Sequence, residues 1–288
     1  MEGSSTAGRP PGTGDHADWL AACRRATEAL REMLVGHPTT SDRAVETGRG
    51  EGGDLALVID RAAEDVVFAE LDALHAEGRR FTAVSEERGE VDYGGGDVRV
   101  VIDPIDGSMN AKRQLSHYAL SIAVAEGETM ADVVFGYVHD FGPAEEWTAS
   151  LGEGARLNGA QLDTAPRERR LDDGTLEVLG IESADPRWVA EAAEDLRSSA
   201  HRLRAIGSIA ISLCQVADAR FDAMVTLWRC RAVDAAAAQL IVREAGGHVA
   251  FSACASPLGA PLDVAPHSPV IAARTERALE QLRVVPRS

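Results

Sequence analysis

Two aspartates three residues apart follow directly on an apolar, strand-like run, in the segment from Asp103 to Ser108. Pro104 fixes its own φ and has no backbone N–H, and Gly107 permits a tight turn. Asp103 and Asp106 can therefore converge on one point, where their carboxylates would offer the oxygen ligands that hard cations prefer. After the turn, backbone N–H groups at a helix start could cradle a phosphate. The alternative is an Asp-rich turn that merely caps a helix.

Other acids occupy similar positions in the sequence. Glu86 follows the apolar run FTAV, Asp60 begins the second predicted helix and, with Asp54, flanks the run LALVI. Asp234 begins a helix of small and apolar residues, where the helix dipole favours a carboxylate even if it has no other role, so an N-cap is the alternative interpretation. Each acid alone is weak evidence, but together they predict a carboxylate-lined site.

The elements that must position these acids follow from apolar periodicity and turn residues. Helices are predicted over residues 15–35, 61–77, 186–197, 208–219, 233–245 and 275–282. Strands are predicted over residues 81–84, 98–102, 119–125, 133–138, 146–148, 176–181, 201–206, 221–227, 248–251 and 270–272, and the stretch GEGARLNG (152–159) is read as a turn. The predicted organisation is a disordered tail at 1–14, an N-terminal α+β domain at 15–165 carrying most metal ligands, and a C-terminal α/β domain at 166–288 completing the site.

The composition narrows the class of protein. The 288 residues include 29 Lys and Arg against 46 Asp and Glu, a formal net charge of −17. This balance argues against a nucleic-acid-binding surface, which needs a basic face. No apolar run is long enough to span a membrane, the N-terminus lacks the pattern of a secretory signal, and the scattered cysteines indicate reduced thiols in the cytoplasm. The tryptophans are expected to be packing anchors: Trp19, Trp147, Trp188 and Trp228.

Four ordered motifs carry a family resemblance over nearly all of residues 50–275. The first two follow the family patterns D-P-[IL]-D-G-[ST], at Asp103–Ser108, and G/S-E-E, at Ser85–Glu87. The other two are variants: Gly207 to Ala217 follows G-S-A-A…L-C-x-V-A with Ile209 in the third position, and Val233 to Gly247 follows W-D-x-A-A…E-A-G-G with Val233 in place of the usual Trp. With these motifs the sequence resembles the inositol monophosphatase superfamily of metal-dependent sugar and polyol phosphatases. The FGYVHDF stretch and the VDAAAA variant look more like its dual-specificity branch, which hydrolyses inositol monophosphates and fructose 1,6-bisphosphate.

The resemblance implies a fold, a reaction and its cofactors. The fold is an α/β (α+β) protein, the layered α/β/α/β/α sandwich of the sugar phosphatases, with the active site between two domains. The reaction is hydrolysis of a small phosphorylated polyol or sugar by direct attack of a water, with two Mg²⁺ per active site and a more weakly held third in some members. A homodimer and inhibition by lithium are also implied. The non-enzyme alternative is a protein-binding regulator on the same fold.

The resemblance also assigns roles, position by position. The first Mg²⁺ would be bound by Glu86, Asp103 and the carbonyl of Ile105, and the second by Asp103, Asp106 and Asp234. The catalytic residues would be Asp60 and Ser108, which orient the attacking water, and Glu86, which helps to deprotonate it. The phosphate and substrate contacts would be Ile105, Asp106, Gly107, Ser108, Gly207, Ser208, Ile209 and Asp234.

Departures from the family pattern bear on the substrate. Leu227 stands seven residues before Asp234, where inositol-preferring members carry a glutamate that contacts ring hydroxyls. Basic residues near the expected mouth would hold a second phosphate or would be ordinary solvent-facing charges: Lys112, Arg113, Arg229 and Arg231. Inositol 1-phosphate is the first choice of substrate and fructose 1,6-bisphosphate the second, while histidinol phosphate and 3′-phosphoadenosine 5′-phosphate stay open.

Overall fold

The computed structural model describes residues 16–49, 55–165 and 167–286. Its helices are α1 (His16–Val35), α2 (Thr40–Arg43), α3 (Val58–Ala76), α4 (Ser108–Arg113), α5 (Pro186–Ser199), α6 (Ile209–Ala217), α7 (Ala232–Glu244) and α8 (Glu276–Leu282), with a 3₁₀ turn at Met130–Asp132. Its strands are β1 (Glu46–Arg49), β2 (Leu55–Leu57), β3 (Thr82–Ser85), β4 (Gly89–Asp92), β5 (Val98–Asp106), β6 (Ala119–Glu126), β7 (Val133–Asp140), β8 (Glu145–Ser150), β9 (Gly154–Leu157), β10 (Ala160–Gln161), β11 (Leu176–Glu182), β12 (Ala200–Arg204), β13 (Ala223–Thr226), β14 (His248–Phe251) and β15 (Val270–Ala273). The tail predicted at 1–14, and Asp54, lie outside the described residues.

The larger sheet has the strand order β10-β9-β8-β7-β6-β5-β3-β4 within the described part of the chain. Only β3 and β5 pair in parallel there, and the other neighbours are antiparallel. Because side chains alternate along a strand, Val100 and Ile102 of β5 pack with α1 and α3 on one face, and Val101 packs with α6 and α7 on the other. The sheet therefore separates two helical layers.

The second sheet has the order β12-β11-β13-β15-β14. Its β11 runs parallel to β12 and β13, whereas β15 pairs antiparallel with β13 and β14. Met224 of β13 faces the same cluster as α6 and α7, and its neighbour Val225 faces α5 and α8. The layers are thus α1/α3, sheet, α6/α7, sheet and α5/α8, which confirms the predicted α/β/α/β/α sandwich. The domain boundary at 165/166 stays a prediction.

Helix α7 lies in the middle of this sandwich because its residues are small. Its run of alanines is fully or almost fully buried, and alanines of β6 lie on the sheet face that packs against α7. On β7, a Cβ added to Gly136 would lie 2.6 Å from the backbone oxygen of Ala237 in α7. A glycine at this position therefore lets the helix backbone approach the sheet more closely than any side chain would.

Most predicted elements are present, with shifted ends. The helix predicted to begin at residue 61 is α3, which begins at Val58. The strand predicted to end at residue 102 is β5, which continues through both aspartates to Asp106. The interpretation of GEGARLNG as a turn was wrong, because Gly154–Leu157 forms β9 and pairs with β8. Among residues 16–49, 55–165 and 167–286, no helix has both the length and the apolar character needed to cross a bilayer.

A buried histidine in the larger sheet predicts a pH-dependent stability. Burial, followed by the nearby Arg31 guanidinium at 2.9 Å, lowers the pKa of His139 to about 4. The folded protein therefore keeps this ring neutral while the unfolded chain takes up a proton, so stability falls as the pH drops from about 6.5 towards 4. Between pH 7 and pH 4.5 we expect the free energy of unfolding of the wild type to fall by about 2.5 kcal/mol more than that of a His139→Gln variant. Urea unfolding at both pH values measures this difference.

The control for that experiment is His248→Gln, since His248 is exposed on β14. Its loss of stability on acidification should match that of the wild type. Equal losses for the wild type and for His139→Gln would contradict the assignment of the effect to His139.

Candidate active site

A cavity of about 190 Å³ opens where the larger sheet meets the middle helices. It is lined by Asp60, Glu86, Glu87, Asp103, Pro104, Ile105, Asp106, Gly107, Ser108, Arg231 and Asp234. Every residue predicted as catalytic or as a metal ligand lies in this lining, although the residues come from α3, the end of β3, β5, α4 and α7. The tertiary structure thus brings the predicted residues together, while their individual roles stay predictions.

A β-bulge places Asp103 and Asp106 in the same cavity. Residues three apart on a regular strand point to opposite faces. In the pairing of β5 with β6, however, Asp103 lies opposite Ser121 and Asp106 opposite Ala119, so β5 holds one extra residue. Pro104 supplies no N–H to the ladder, which suits this interruption. The bulge re-aims one carboxylate so that both line the cavity.

Asp106 is fixed by the start of α6. Its Oδ2 accepts hydrogen bonds from Ser208 Oγ at 2.5 Å and from the backbone N–H of Ala210 at 2.7 Å. Ser208 is also the N-cap of α6, since its Oγ accepts the N–H of Ile211. Ser208 therefore links the Asp-rich turn to α6, in addition to the phosphate contact predicted for it.

Gly107 brings the same turn close to α6. Its φ is +90°, and a Cβ there would lie 2.9 Å from the carbonyl oxygen of Gly207. Only glycine combines this left-handed conformation with so close an approach. The motif glycine is thus explained by packing between the two halves of the site.

Arg231 bridges two of the acids. Its Nη1 donates to Glu86 Oε1 at 2.7 Å, and its Nη2 lies 3.5 Å from Asp234 Oδ1. The backbone N–H of Arg231 also donates to Asp234 Oδ2 at 2.8 Å. The N-cap of α7 is Arg231, so the interpretation of Asp234 as the N-cap was wrong. Asp234 lies in the first turn of α7, where its Oδ2 accepts the N-cap N–H and its side chain lines the cavity.

The buried carboxylates repel one another when they are charged. Burial, and then the charges of Asp106, Glu86 and Asp234, raise the pKa of Asp103 well above its usual range. Burial and the charge of Asp234 raise the pKa of Asp106 to about 7. A raised carboxylate pKa means that the folded state penalises the charged form, and a bound cation would remove that penalty.

The donor set fits a hard divalent cation such as Mg²⁺. The cavity offers carboxylate and carbonyl oxygens, and the buried Oε2 of Glu87 has no hydrogen-bond partner among the described residues. Within residues 16–49, 55–165 and 167–286, no three His, Cys, Asp or Glu side chains are gathered closely enough to hold an ion. The Arg231 guanidinium, between Glu86 and Asp234, gives a physical reason for this separation.

The guanidinium therefore competes with cations, and its removal should strengthen their binding. In Arg231→Gln the side chain can still donate a hydrogen bond to Glu86 but carries no charge. We expect Mg²⁺ to bind about tenfold more tightly, equivalent to about 1.4 kcal/mol of lost charge repulsion. Calorimetric titration of the metal-free protein with Mg²⁺ measures this affinity. Arg229→Gln, an exposed neighbour, is the control, and unchanged or weaker binding by Arg231→Gln would show that the guanidinium does not compete.

A second, wider cavity of about 680 Å³ shares Asp106, Arg231 and Asp234 with the first. The predicted substrate contacts Gly207 and Ile209 line it, while Ser208 is buried behind Asp106. The first cavity therefore holds the carboxylates, and the second provides room for the rest of a substrate.

Glu182 is a site residue that the sequence analysis missed. It is buried at the end of β11, where Oε1 accepts the N–H of Ile206 and the hydroxyl of Ser212, and Oε2 accepts the N–H of Gly207. Burial raises its pKa to about 7. The Gly207 N–H, predicted to face phosphate, is thus engaged by a carboxylate. The sequence signal that could have identified Glu182 was its position directly at the end of a predicted strand, like those of Glu86 and Asp103.

The other acid missed is Glu87. Its carboxylate lines the first cavity, and burial together with the charges of Asp60 and Glu64 raises its pKa to about 7. Its place beside Glu86 in the SEE motif was the sequence signal that could have identified it.

Of the basic residues predicted near the mouth, Arg229 and Arg231 line the cavities. The other two, Lys112 and Arg113, lie on α4 outside both linings.

Comparison with known proteins gives consistent matches. A family model described as "Inositol monophosphatase family" matches residues 17–285. The fructose-1,6-bisphosphatase/inositol-1-monophosphatase of Archaeoglobus fulgidus is 31% identical over 238 residues, covering 82% of this chain and 85% of that protein. Nus factor SuhB of Escherichia coli K12 is 34% identical over 229 residues, covering 78% and 82%.

A solved structure with the same fold is the MJ0109 gene product, described as an inositol monophosphatase-fructose 1,6-bisphosphatase. It matches with a TM-score of 0.78 at 24% identity and covers 93% of this chain and 99% of that one. At this level of identity the match establishes the fold alone.

Proposed function

Because the chain belongs to the inositol monophosphatase family, we propose that it is a Mg²⁺-dependent phosphomonoesterase acting on a small phosphorylated polyol or sugar. The observation that carries this proposal is the convergence of acids from separate elements on one cavity beside a larger one. The buried, mutually repelling carboxylates favour a cation there, and a cation in turn attracts a phosphate.

Each residue has a proposed part in the reaction. When bound, Mg²⁺ neutralises the phosphate, stabilises the leaving oxygen and lowers the pKa of a water. The ions would be held by Glu86, Asp103, Asp106, Asp234 and the Ile105 carbonyl. Proton removal and orientation fall to this chain's own groups: Asp60 and Ser108 would orient the attacking water, and Glu86 would accept its proton.

Inositol 1-phosphate is the first proposed substrate and fructose 1,6-bisphosphate the second. The A. fulgidus relative, whose name gives both activities, supports this pair. Leu227 is fully buried and offers no oxygen to a ring hydroxyl, which weakens a strict preference for inositol. Histidinol phosphate and 3′-phosphoadenosine 5′-phosphate are the further candidates.

The test is phosphate release at neutral pH from these four esters and glucose 1-phosphate, each with Mg²⁺ and with EDTA. We expect EDTA-sensitive release, dominated by one ester, because the carboxylates hold phosphate only through a cation. Release that persists in EDTA would contradict the metal-dependent reaction.

A protein-binding regulator is the second candidate function. The relatives named Nus factor SuhB favour it, since that name describes a factor and not a phosphatase. Against it stands the complete set of cavity carboxylates, which a binding module has no physical reason to keep. Folded, Mg²⁺-binding protein that releases no phosphate from any of the esters would favour the regulator.

Lithium offers a further prediction, on the premise that Li⁺ occupies one metal position after turnover. Phosphate release should fall progressively as LiCl is added at constant Mg²⁺, with KCl at equal ionic strength as the control. An activity that stays constant across the LiCl series would show that this property is not shared.

We also propose a homodimer that acts in the cytoplasm, without a nucleic-acid or membrane partner. The chain mass is 30.5 kDa. Light scattering on the purified protein should therefore give about twice that mass, in keeping with the prevalence of two-fold symmetric dimers. A single-chain mass at micromolar concentration would contradict the dimer.

A further inference from the structure

Two of the tryptophans expected to be packing anchors, Trp188 and Trp228, form a stacked pair at the wider cavity, and Trp188 also packs against a buried cluster. The rings of Trp188 and Trp228 have centroids 4.4 Å apart and planes within 5° of each other. Both are half-buried, in contrast to the buried Trp19 and Trp147, for which the expectation is confirmed. Trp228 lines the 680 Å³ cavity. The stack holds a large aromatic ring in a fixed orientation at the edge of this space.

The pair lies within reach of the chemistry. The wider cavity is continuous with the carboxylate cavity through Asp106, Arg231 and Asp234, which line both. A phosphate ester whose phosphate is held at the carboxylates would therefore extend its leaving group into the cavity that Trp228 lines.

Two polar side chains along this cavity, those of Asn110 and Glu182, already make hydrogen bonds within the protein. Asn110 Nδ2 donates to the carbonyls of His117 and Ile206. Both carboxylate oxygens of Glu182 accept hydrogen bonds from the protein. Part of the hydrogen-bonding capacity of these two side chains is therefore not available to sugar hydroxyls, and burying a hydroxyl without a partner is unfavourable.

The apolar part of the lining favours a planar, apolar group. Ile206, Ile209 and Pro266 line the cavity with Trp228. The exposed Arg229 has its guanidinium carbon 5.9 Å from the centroid of the Trp228 ring. Its flexible side chain can thus move to close over a ring that enters the cavity, as arginine does on aromatic faces.

We propose that Trp228, held by Trp188, is a binding platform for an aromatic leaving group, so that this site prefers phosphate esters of alcohols carrying a planar ring. The inference rests on the proposed phosphatase function, and among the candidate substrates it favours those that carry a planar ring over inositol 1-phosphate and fructose 1,6-bisphosphate. Trp228 contacts the substrate, whereas Trp188 is a positioning residue that fixes the Trp228 ring.

The test compares two esters that differ only in the planarity of the ring. Benzyl phosphate and cyclohexylmethyl phosphate are both esters of primary alcohols, so their leaving groups are chemically similar. We expect the wild type with Mg²⁺ to favour benzyl phosphate by about tenfold in kcat/KM, mostly through KM. The ratio should fall to about 1 in Trp228→Leu, keep part of its value in Trp228→Phe and fall in Trp188→Leu. Arg187→Gln, whose exposed guanidinium lies 5.7 Å from the Trp188 ring centroid, is the control and should keep the ratio.

The outcomes separate this inference from the function on which it rests. A wild-type ratio near 1, or a ratio unchanged in both Trp228 variants, overturns the aromatic platform while leaving the phosphatase intact. No turnover of either ester or of the sugar and polyol esters overturns the proposed function itself. Thermal unfolding shows whether each variant is folded, and Trp228→Phe keeps the test decisive if Trp228→Leu does not fold.

Discussion

Asp103→Asn is expected to reduce Mg²⁺-dependent phosphate release by a factor of about 10³ or more at saturating substrate. Asp103 is the one side chain assigned to both Mg²⁺ positions, and it is buried at the centre of the carboxylate group. Asparagine keeps the shape and the hydrogen bond that Asp103 Oδ1 accepts from the Ile105 N–H, but it lacks the charge that would bind a cation. Steady-state kinetics across a Mg²⁺ series measures the loss.

The same substitution should stabilise the protein in the absence of metal. Burial and the neighbouring acids raise the pKa of Asp103, so the folded state penalises the charged carboxylate that the unfolded chain carries at neutral pH. Removing that charge should raise the unfolding temperature in EDTA and abolish most of the stabilisation by Mg²⁺ seen in the wild type. Function and metal-free stability therefore change in opposite directions.

Asp97→Asn is the matched control, because Asp97 is exposed just before the same strand. It should alter neither activity nor the response of stability to Mg²⁺. If Asp103→Asn kept wild-type, Mg²⁺-dependent turnover, Asp103 would not be a metal ligand and the proposed site would be wrong.

The second large effect is expected at Gly136, which lies outside the linings of both cavities. A Cβ at this position would lie 2.6 Å from the carbonyl oxygen of Ala237, and backbone atoms cannot rotate away. Gly136→Ala must therefore push α7 from the sheet, at a cost of about 2–3 kcal/mol in the free energy of unfolding. Asp234 lies one turn earlier on α7, so its carboxylate should move relative to Asp103. A displacement of about 1 Å would reduce kcat by up to about 10².

Gly174→Ala provides the comparison, since its φ is +85° but a Cβ there would meet nothing within 4 Å. It should cost only about 1 kcal/mol of backbone strain and leave kcat unchanged. Urea unfolding and kinetics on both variants separate close approach from conformational strain. Equal costs for the two variants would show that α7 accommodates the extra carbon.

Local patterns in the sequence determined most of the elements. Apolar periodicity predicted α1, because a helix with one buried face repeats that face along the chain, and a continuous apolar run predicted β5. The short β9 was missed because a hairpin strand next to glycines looks like a turn when its partner strand is unknown. The sandwich came from the family resemblance, and the two clusters on opposite faces of the larger sheet confirm it.

The sequence by itself predicted which residues would carry the chemistry, because Asp103, Asp106 and Asp234 stand at element ends in recognisable motifs. Only the tertiary structure decided what surrounds them. The bulge that turns both aspartates to one cavity depends on the pairing with β6, and the bridge from Arg231 to Glu86 joins residues 145 positions apart. Such contacts leave no periodic signal, since spacing along the chain encodes which face a residue takes and not which distant side chain it will meet.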